Sequence, residues 1–125
     1  MPRFAILRHD GPPGVHWDLL LEEGESLHAW ALEQEPSPGA AIACQPLPDH
    51  RPLYLDYEGP VSGDRGTVAR WDRGTYQTER ESGEELVVQL SGDRLIGRAT
   101  LQREPGESGA WRFTFFPQSR AVSAQ

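Results

Sequence analysis

The sequence predicts an all-β domain: a small closed or partly open β-barrel with few short helices. Three observations carry this expectation. Short apolar runs recur with period-two alternation, as in Trp17–Leu21 and Leu86–Leu90. Glycine, proline and acidic residues punctuate the chain between those runs. No long stretch carries the 3.6-residue period of an amphipathic helix. Many short strands with glycine-rich turns favour a barrel or sandwich, and closure removes exposed strand edges.

The elements follow in order. Phe4–Arg8 reads as a first strand. Gly11-Pro12-Pro13-Gly14 is incompatible with helix and reads as a turn. His16–Glu22 is the next strand, with Trp17, Leu19 and Leu21 on one face and His16, Asp18 and Leu20 on the other. Glu23-Gly24-Glu25 turns the chain into a strand over Ser26–Leu32. From Glu33 to Pro48 the chain is rich in Pro, Gly and Ala, and reads as a long loop with a short strand at Ala41–Gln45. His50–Gly59 is an irregular aromatic stretch. Gly66–Asp72 and Thr75–Glu79 read as two strands separated by Arg73-Gly74. Leu86–Leu90 and Leu95–Leu101 flank Ser91-Gly92-Asp93-Arg94, the clearest hairpin. Trp111–Phe116 makes the last strand. A single domain over residues 1–118 is expected, with a polar, frayed tail over 119–125.

The 125 residues suffice for one compact core. No apolar run approaches membrane-spanning length, so no membrane partner is expected. No secretory signal precedes the first strand, and the single cysteine, Cys44, excludes an intrachain disulfide. A buried thiol and a cytoplasmic location are expected. A net charge of −7 argues against a protein that coats nucleic acid through a basic surface. It leaves open an enzyme that grips one nucleic-acid end. The basic residues are arginines, several of them grouped (Arg65, Arg70 and Arg73, then Arg94, Arg98 and Arg103), and suited to forked phosphate contacts, although arginines on solvated strand edges are also ordinary.

His9, His16 and Asp18 are the candidate metal ligands. His16 and Asp18 share a strand face, and the Gly-Pro turn folds His9 back toward them. Two imidazoles and a carboxylate suit a transition metal with open coordination positions. The competing reading is a surface pair with an ordinary loop histidine. His50 and Tyr54 form a second pair, in a segment unsuited to helix. There His50 suits a general acid or phosphate donor and Tyr54 a hydroxyl donor; each also suits a structural role. His28 is read as a packed or edge histidine.

These residues resemble the 3′-phosphoesterase domain of bacterial DNA ligase D. His9-Asp10…His16-Trp17-Asp18-Leu19…Leu21-Glu22 is similar to that family's opening, a His-Asp turn followed by His-Tyr-Asp-Phe-Arg-Leu-Glu. Trp30-Ala31-Leu32 with Pro36-Ser37, Asp49-His50 with Tyr54, and Asp56-Tyr57-Glu58-Gly59 follow in the family's order. So do Gly66-Thr67-Val68, Trp71-Asp72-Arg73-Gly74-Thr75, Gly97-Arg98 and Trp111. The resemblance implies a small β-barrel and a manganese-dependent phosphoesterase that removes 3′-phosphates or 3′-ribonucleotides from nucleic-acid ends. His9, His16 and Asp18 would bind the metal, manganese first, with zinc or another transition metal as substitutes. His50 and Tyr54 would act at the phosphate, and a DNA-repair ligase or polymerase is the implied partner.

Two departures stand out. The family's arginine two residues after the metal-binding aspartate is Leu20 here, and its Lys before Gly-Pro-Ser is Gln34. Losing one phosphate clamp costs on the order of 3 kcal/mol at a transition state. Arg8, Arg51 and Arg73 are the candidate replacements, and an arginine restored at position 20 is expected to raise activity. The alternatives are a non-catalytic metal-binding or interaction module in DNA repair, and a non-haem iron oxygenase, whose facial triad also uses two histidines and a carboxylate.

Overall fold

In the computed structural model, described for residues 1–12, 14–106 and 108–118, the chain is almost entirely β. Nine strands form one sheet: β1 (Arg3–Gly11), β2 (Gly14–Glu23), β3 (Ser26–Leu32), β4 (Ile42–His50), β5 (Gly59–Pro60), β6 (Thr67–Glu81), β7 (Glu85–Gly92), β8 (Ile96–Arg103) and β9 (Trp111–Pro117). A 3-10 turn at Pro52–Leu55 is the one helical element among the described residues. The expected tail over 119–125 lies outside the described residues.

The strand order is β1-β2-β3-β4-β9-β8-β7-β6-β5, and β1 also pairs with β6. The sheet therefore closes on itself as a ring, with β5 appended to the edge of β6. Every pairing is antiparallel.

The inward face is filled by Phe4, Ile6, Leu19, Leu21, Trp30 and Phe113, with their neighbours on the remaining strands. A second apolar cluster, Ala5, Leu7, Leu20, Leu27, Ala29, Leu55 and Val68, sits on the opposite face of β1, β2 and β3. Leu47, Tyr54, Tyr57 and Val61 pack onto it. The segment from the end of β4 through β5 thus forms a cap on the outer wall. The alternation expected for β2 holds, since Leu19 and Leu21 face inward while Leu20 faces the cap.

Two expectations are corrected. The strand expected at Ala41–Gln45 runs from Ile42 to His50. Pro46 and Pro48 are tolerated because β9 pairs only with Ile42–Cys44, which leaves one side of the later residues unpaired. The two strands expected around Arg73-Gly74 are one, β6. Gly74 marks a handover, where β6 pairs with both Phe4 of β1 and Gly92 of β7. A Cβ on Gly74 would lie 2.0 Å from the Ser91 carbonyl oxygen, so the close crossing requires glycine.

Candidate functional site

The β1–β2 hairpin builds the centre of the site. Its register runs to Gly11↔Gly14, on either side of the proline turn, and sets His9 directly opposite His16 and Leu7 opposite Asp18. All three polar residues lie on the outer face shared with Leu7 and Leu20. Side-chain atoms able to ligate a metal, one from each of His9, His16 and Asp18, fall within 4.8 Å of one another.

Asp18 is 4% exposed. Its Oδ2 lies 3.1 Å from His9 Nδ1. Its Oδ1 lies 2.9 Å from His16 Nε2, yet off the direction of a hydrogen bond, so this buried oxygen has no aligned donor. The contact with Asp18 raises the His16 pKa above its usual 6.5; burial works against the rise and the Asp18 charge adds to it. The His9 and His16 rings are 4.6 Å apart.

His9 is oriented from its other side. Its Nε2 lies 2.6 Å from the Arg65 carbonyl oxygen, which can only accept, so Nε2 donates. In neutral His9 the lone pair is then on Nδ1, facing the Asp18 carboxylate. Two electron-rich atoms at that separation call for a proton or a cation between them. An imidazole fixed by a carbonyl, a buried carboxylate with an orphaned oxygen and a second imidazole together fit a divalent transition-metal ion.

Glycines let the Arg65 carbonyl approach. A Cβ on Gly66, whose φ is +90°, would lie 2.1 Å from the Asp10 carbonyl oxygen; one on Gly11 would lie 2.7 Å from the Arg65 carbonyl oxygen.

The three residues open onto a groove of about 500 Å³ between the hairpin and the cap. His50, Arg51 and Tyr54 line it as well, with an apolar lining of Leu7, Leu47, Val61 and Val68. His50 Nδ1 donates to the Pro48 carbonyl at 2.9 Å, which in the neutral ring leaves the lone pair on Nε2. The Tyr54 ring packs edge-on to His50 at 5.8 Å and to Tyr57 at 5.5 Å. Tyr57 in turn donates to the Pro60 carbonyl.

The groove thus gathers six of the residues singled out in the sequence: His9, His16, Asp18, His50, Tyr54 and Arg51. Arg8 does not join them; it faces away and lies 3.6 Å from Asp10. Arg73 lines a separate cavity with Arg3, Asp56 and Asp93. Leu20 is fully buried in the outer apolar cluster, and Gln34 is exposed outside the groove. His28 packs beside Trp30 at 5.3 Å. Cys44 is buried, which together with nearby Glu33 pushes its thiol pKa up to about 12, an unreactive group.

Sequence reasoning missed Ser62 and named Arg65 only as one of a group of arginines, without placing it at the site; both also line the groove. The available signal was the Gly63–Gly66 loop immediately before β6, whose glycines bracket Asp64-Arg65.

Residues 7–103 match the family described as the DNA Ligase D 3′-phosphoesterase domain. A protein of Mycobacterium bovis named Multifunctional non-homologous end joining protein LigD is 33% identical over 101 residues, which cover 74% of this chain and 13% of that protein. A Mycobacterium tuberculosis protein, Multifunctional non-homologous end joining DNA repair protein LigD, gives the same identity and coverage. The LigD of Mycolicibacterium smegmatis is 28% identical over 123 residues, covering 85% of this chain. The matches span 13–16% of these relatives' length.

Proposed function

Because this chain belongs to the DNA ligase D 3′-phosphoesterase domain family, we propose that it is a divalent-metal-dependent phosphoesterase acting on nucleic-acid 3′ ends. The carrying observation is the groove itself, where the ligand cluster His9, His16 and Asp18 shares one wall space with His50 and Tyr54. Manganese is the proposed ion, held by those three residues. When bound, such an ion supplies Lewis-acid polarisation of a phosphoryl oxygen.

The chain's own groups do the rest. His50, with Nδ1 anchored to Pro48, presents Nε2 as the group that donates a proton to the departing 3′-oxygen. The Tyr54 hydroxyl donates a hydrogen bond to a phosphoryl oxygen. Arg51 adds positive charge on the same side. The apolar lining thins the water around these groups and strengthens each polar contact. Hydrolysis of a 3′-phosphate leaves a 3′-hydroxyl and inorganic phosphate, and a 3′-hydroxyl end is what a repair polymerase or ligase partner uses. A cytoplasmic setting is proposed on the single reduced thiol.

The test is manganese-dependent release from a primer–template carrying a 3′-terminal ribonucleotide or a 3′-phosphate. Release by the wild type that disappears in His16→Ala supports the proposal; release that survives in His16→Ala defeats the ligand assignment. One observation favours a second reading, a non-catalytic metal-binding module: Leu20 puts buried hydrocarbon where the resemblance places an arginine. Its signature is manganese binding by the wild type with no phosphoester turned over.

A further inference from the structure

With Leu20 buried, no cation reaches the groove from that position of β2. Arg8 and Arg73 lie elsewhere. Among the described residues, the arginines that line the groove are Arg51 and Arg65.

Arg65 is held in a particular way. Its Nε donates to the Ser62 carbonyl at 2.8 Å and its Nη2 to Ser62 Oγ at 3.3 Å. Arginine has five N–H donors, so the contacts to Ser62 fix the guanidinium plane and leave the other donors available. No carboxylate forms an ion pair with it among the described residues. A pre-oriented, uncommitted guanidinium on a groove that also holds a metal-ligand cluster suits a phosphate oxyanion. The same residue's carbonyl oxygen orients His9. The backbone of this loop residue thus meets the ligand cluster, while its side chain is braced on Ser62, which also lines the groove.

We infer that Arg65, braced by Ser62, grips the substrate phosphate in the groove, while its carbonyl fixes His9. This rests on the phosphoesterase reading above and adds a specific anion-binding residue to it.

The experiment uses the full chain as wild type, Arg65→Ala and Arg65→Lys. Manganese binding is measured by calorimetry. Binding of a fluorescent oligonucleotide with a 3′-phosphate is measured by anisotropy across a salt series, and KM and kcat are measured on the same oligonucleotide. Arg65→Ala keeps the carbonyl, so manganese affinity is expected to hold. Oligonucleotide affinity and KM are expected to worsen about tenfold or more. The slope of log affinity against log salt is expected to fall by about 0.7. Arg65→Lys is expected to restore the slope but not the full affinity, because an ammonium lacks the planar fork.

An active wild type with Arg65→Ala unchanged in KM and slope overturns the role of Arg65 alone. Loss of manganese binding in Arg65→Ala overturns it in favour of a purely structural loop. A wild type that neither binds manganese nor turns over the oligonucleotide overturns the phosphoesterase reading, and this inference with it.

Discussion

Asp18 is the residue on which the groove depends. It is buried, it touches both histidines, and one of its oxygens has no aligned donor. Its neighbour His16 sets a pH dependence. The His16 pKa is raised, so its contact with Asp18 stabilises the metal-free fold fully below pH 6.5 and is lost as pH climbs through the raised value. A metal requires the deprotonated ring, so manganese affinity should strengthen with rising pH over that window. Calorimetric titrations at several pH values check this; a flat profile would exclude His16 as a ligand. Leu20 makes the second residue-scale prediction. Leu20→Arg puts a guanidinium among Ala5, Leu7, Leu27 and Leu55. A drop of about 3 kcal/mol or more in denaturant-derived stability is expected, so any gain in turnover must be read on folded protein. The sequence showed Leu20 on the metal face of β2 through simple alternation. It did not show the cap that closes over Leu20, because Leu55 reaches it only through the tertiary fold.

At the scale of elements, two joints hold the site's surroundings. The first is the approach of the Gly66 loop to β1. Gly66→Ala forces a Cβ against the Asp10 carbonyl and strains a backbone at φ +90°. The loop must retreat, taking the Arg65 carbonyl from His9, so manganese affinity and thermal stability should fall together. Metal titration alongside a melting curve separates this from a purely global effect. The second joint is Asp72. It is 2% exposed, and its carboxylate accepts the backbone N–H groups of Arg73, Arg94 and Leu95 at 2.8–2.9 Å. The Arg94 guanidinium lies 4.2 Å above the Trp71 ring beside it. This pins the β7–β8 turn onto β6. Asp72→Ala should cost about 3 kcal/mol by stranding those donors, with manganese affinity intact, measurable by urea unfolding and metal titration. Hairpins were legible because their turns are local: Gly11–Gly14, Gly24 and the Ser91–Arg94 turn all announce themselves. Arg73-Gly74 misled for the same reason. A glycine required by a crossing strand looks, in one dimension, like a glycine required by a turn.

Across the whole molecule, the charge of −7 confines recognition. A chain this acidic gains little from non-specific attraction to a phosphate backbone, so under the proposed reading affinity for nucleic acid should reside at the terminal phosphate in the groove. An oligonucleotide ending in a 3′-hydroxyl should bind far more weakly than its 3′-phosphate counterpart, a contrast anisotropy measures directly. The barrel-like class was legible from short strands and turns, whereas the pairing of β1 with β6 was not. Residues some sixty positions apart carry no local mark of their partnership, and loop closure rather than propensity decides it. The candidate ligands were legible because a hairpin register needs only a count across its turn. The grouping of Arg65 with Arg70 and Arg73 was visible, but not its place beside His9, which depends on a loop meeting a strand from another part of the chain.

The ring's interior holds a buried apolar cluster, and the candidate ligands are set in the outer wall beside a cap made from one continuous stretch of chain. Under the proposed reading, a long polymer would meet this wall sideways, one terminus in the trough and the remainder trailing into solvent. Remodelling that stretch would then change which ends fit while the sheet wall behind it keeps its shape.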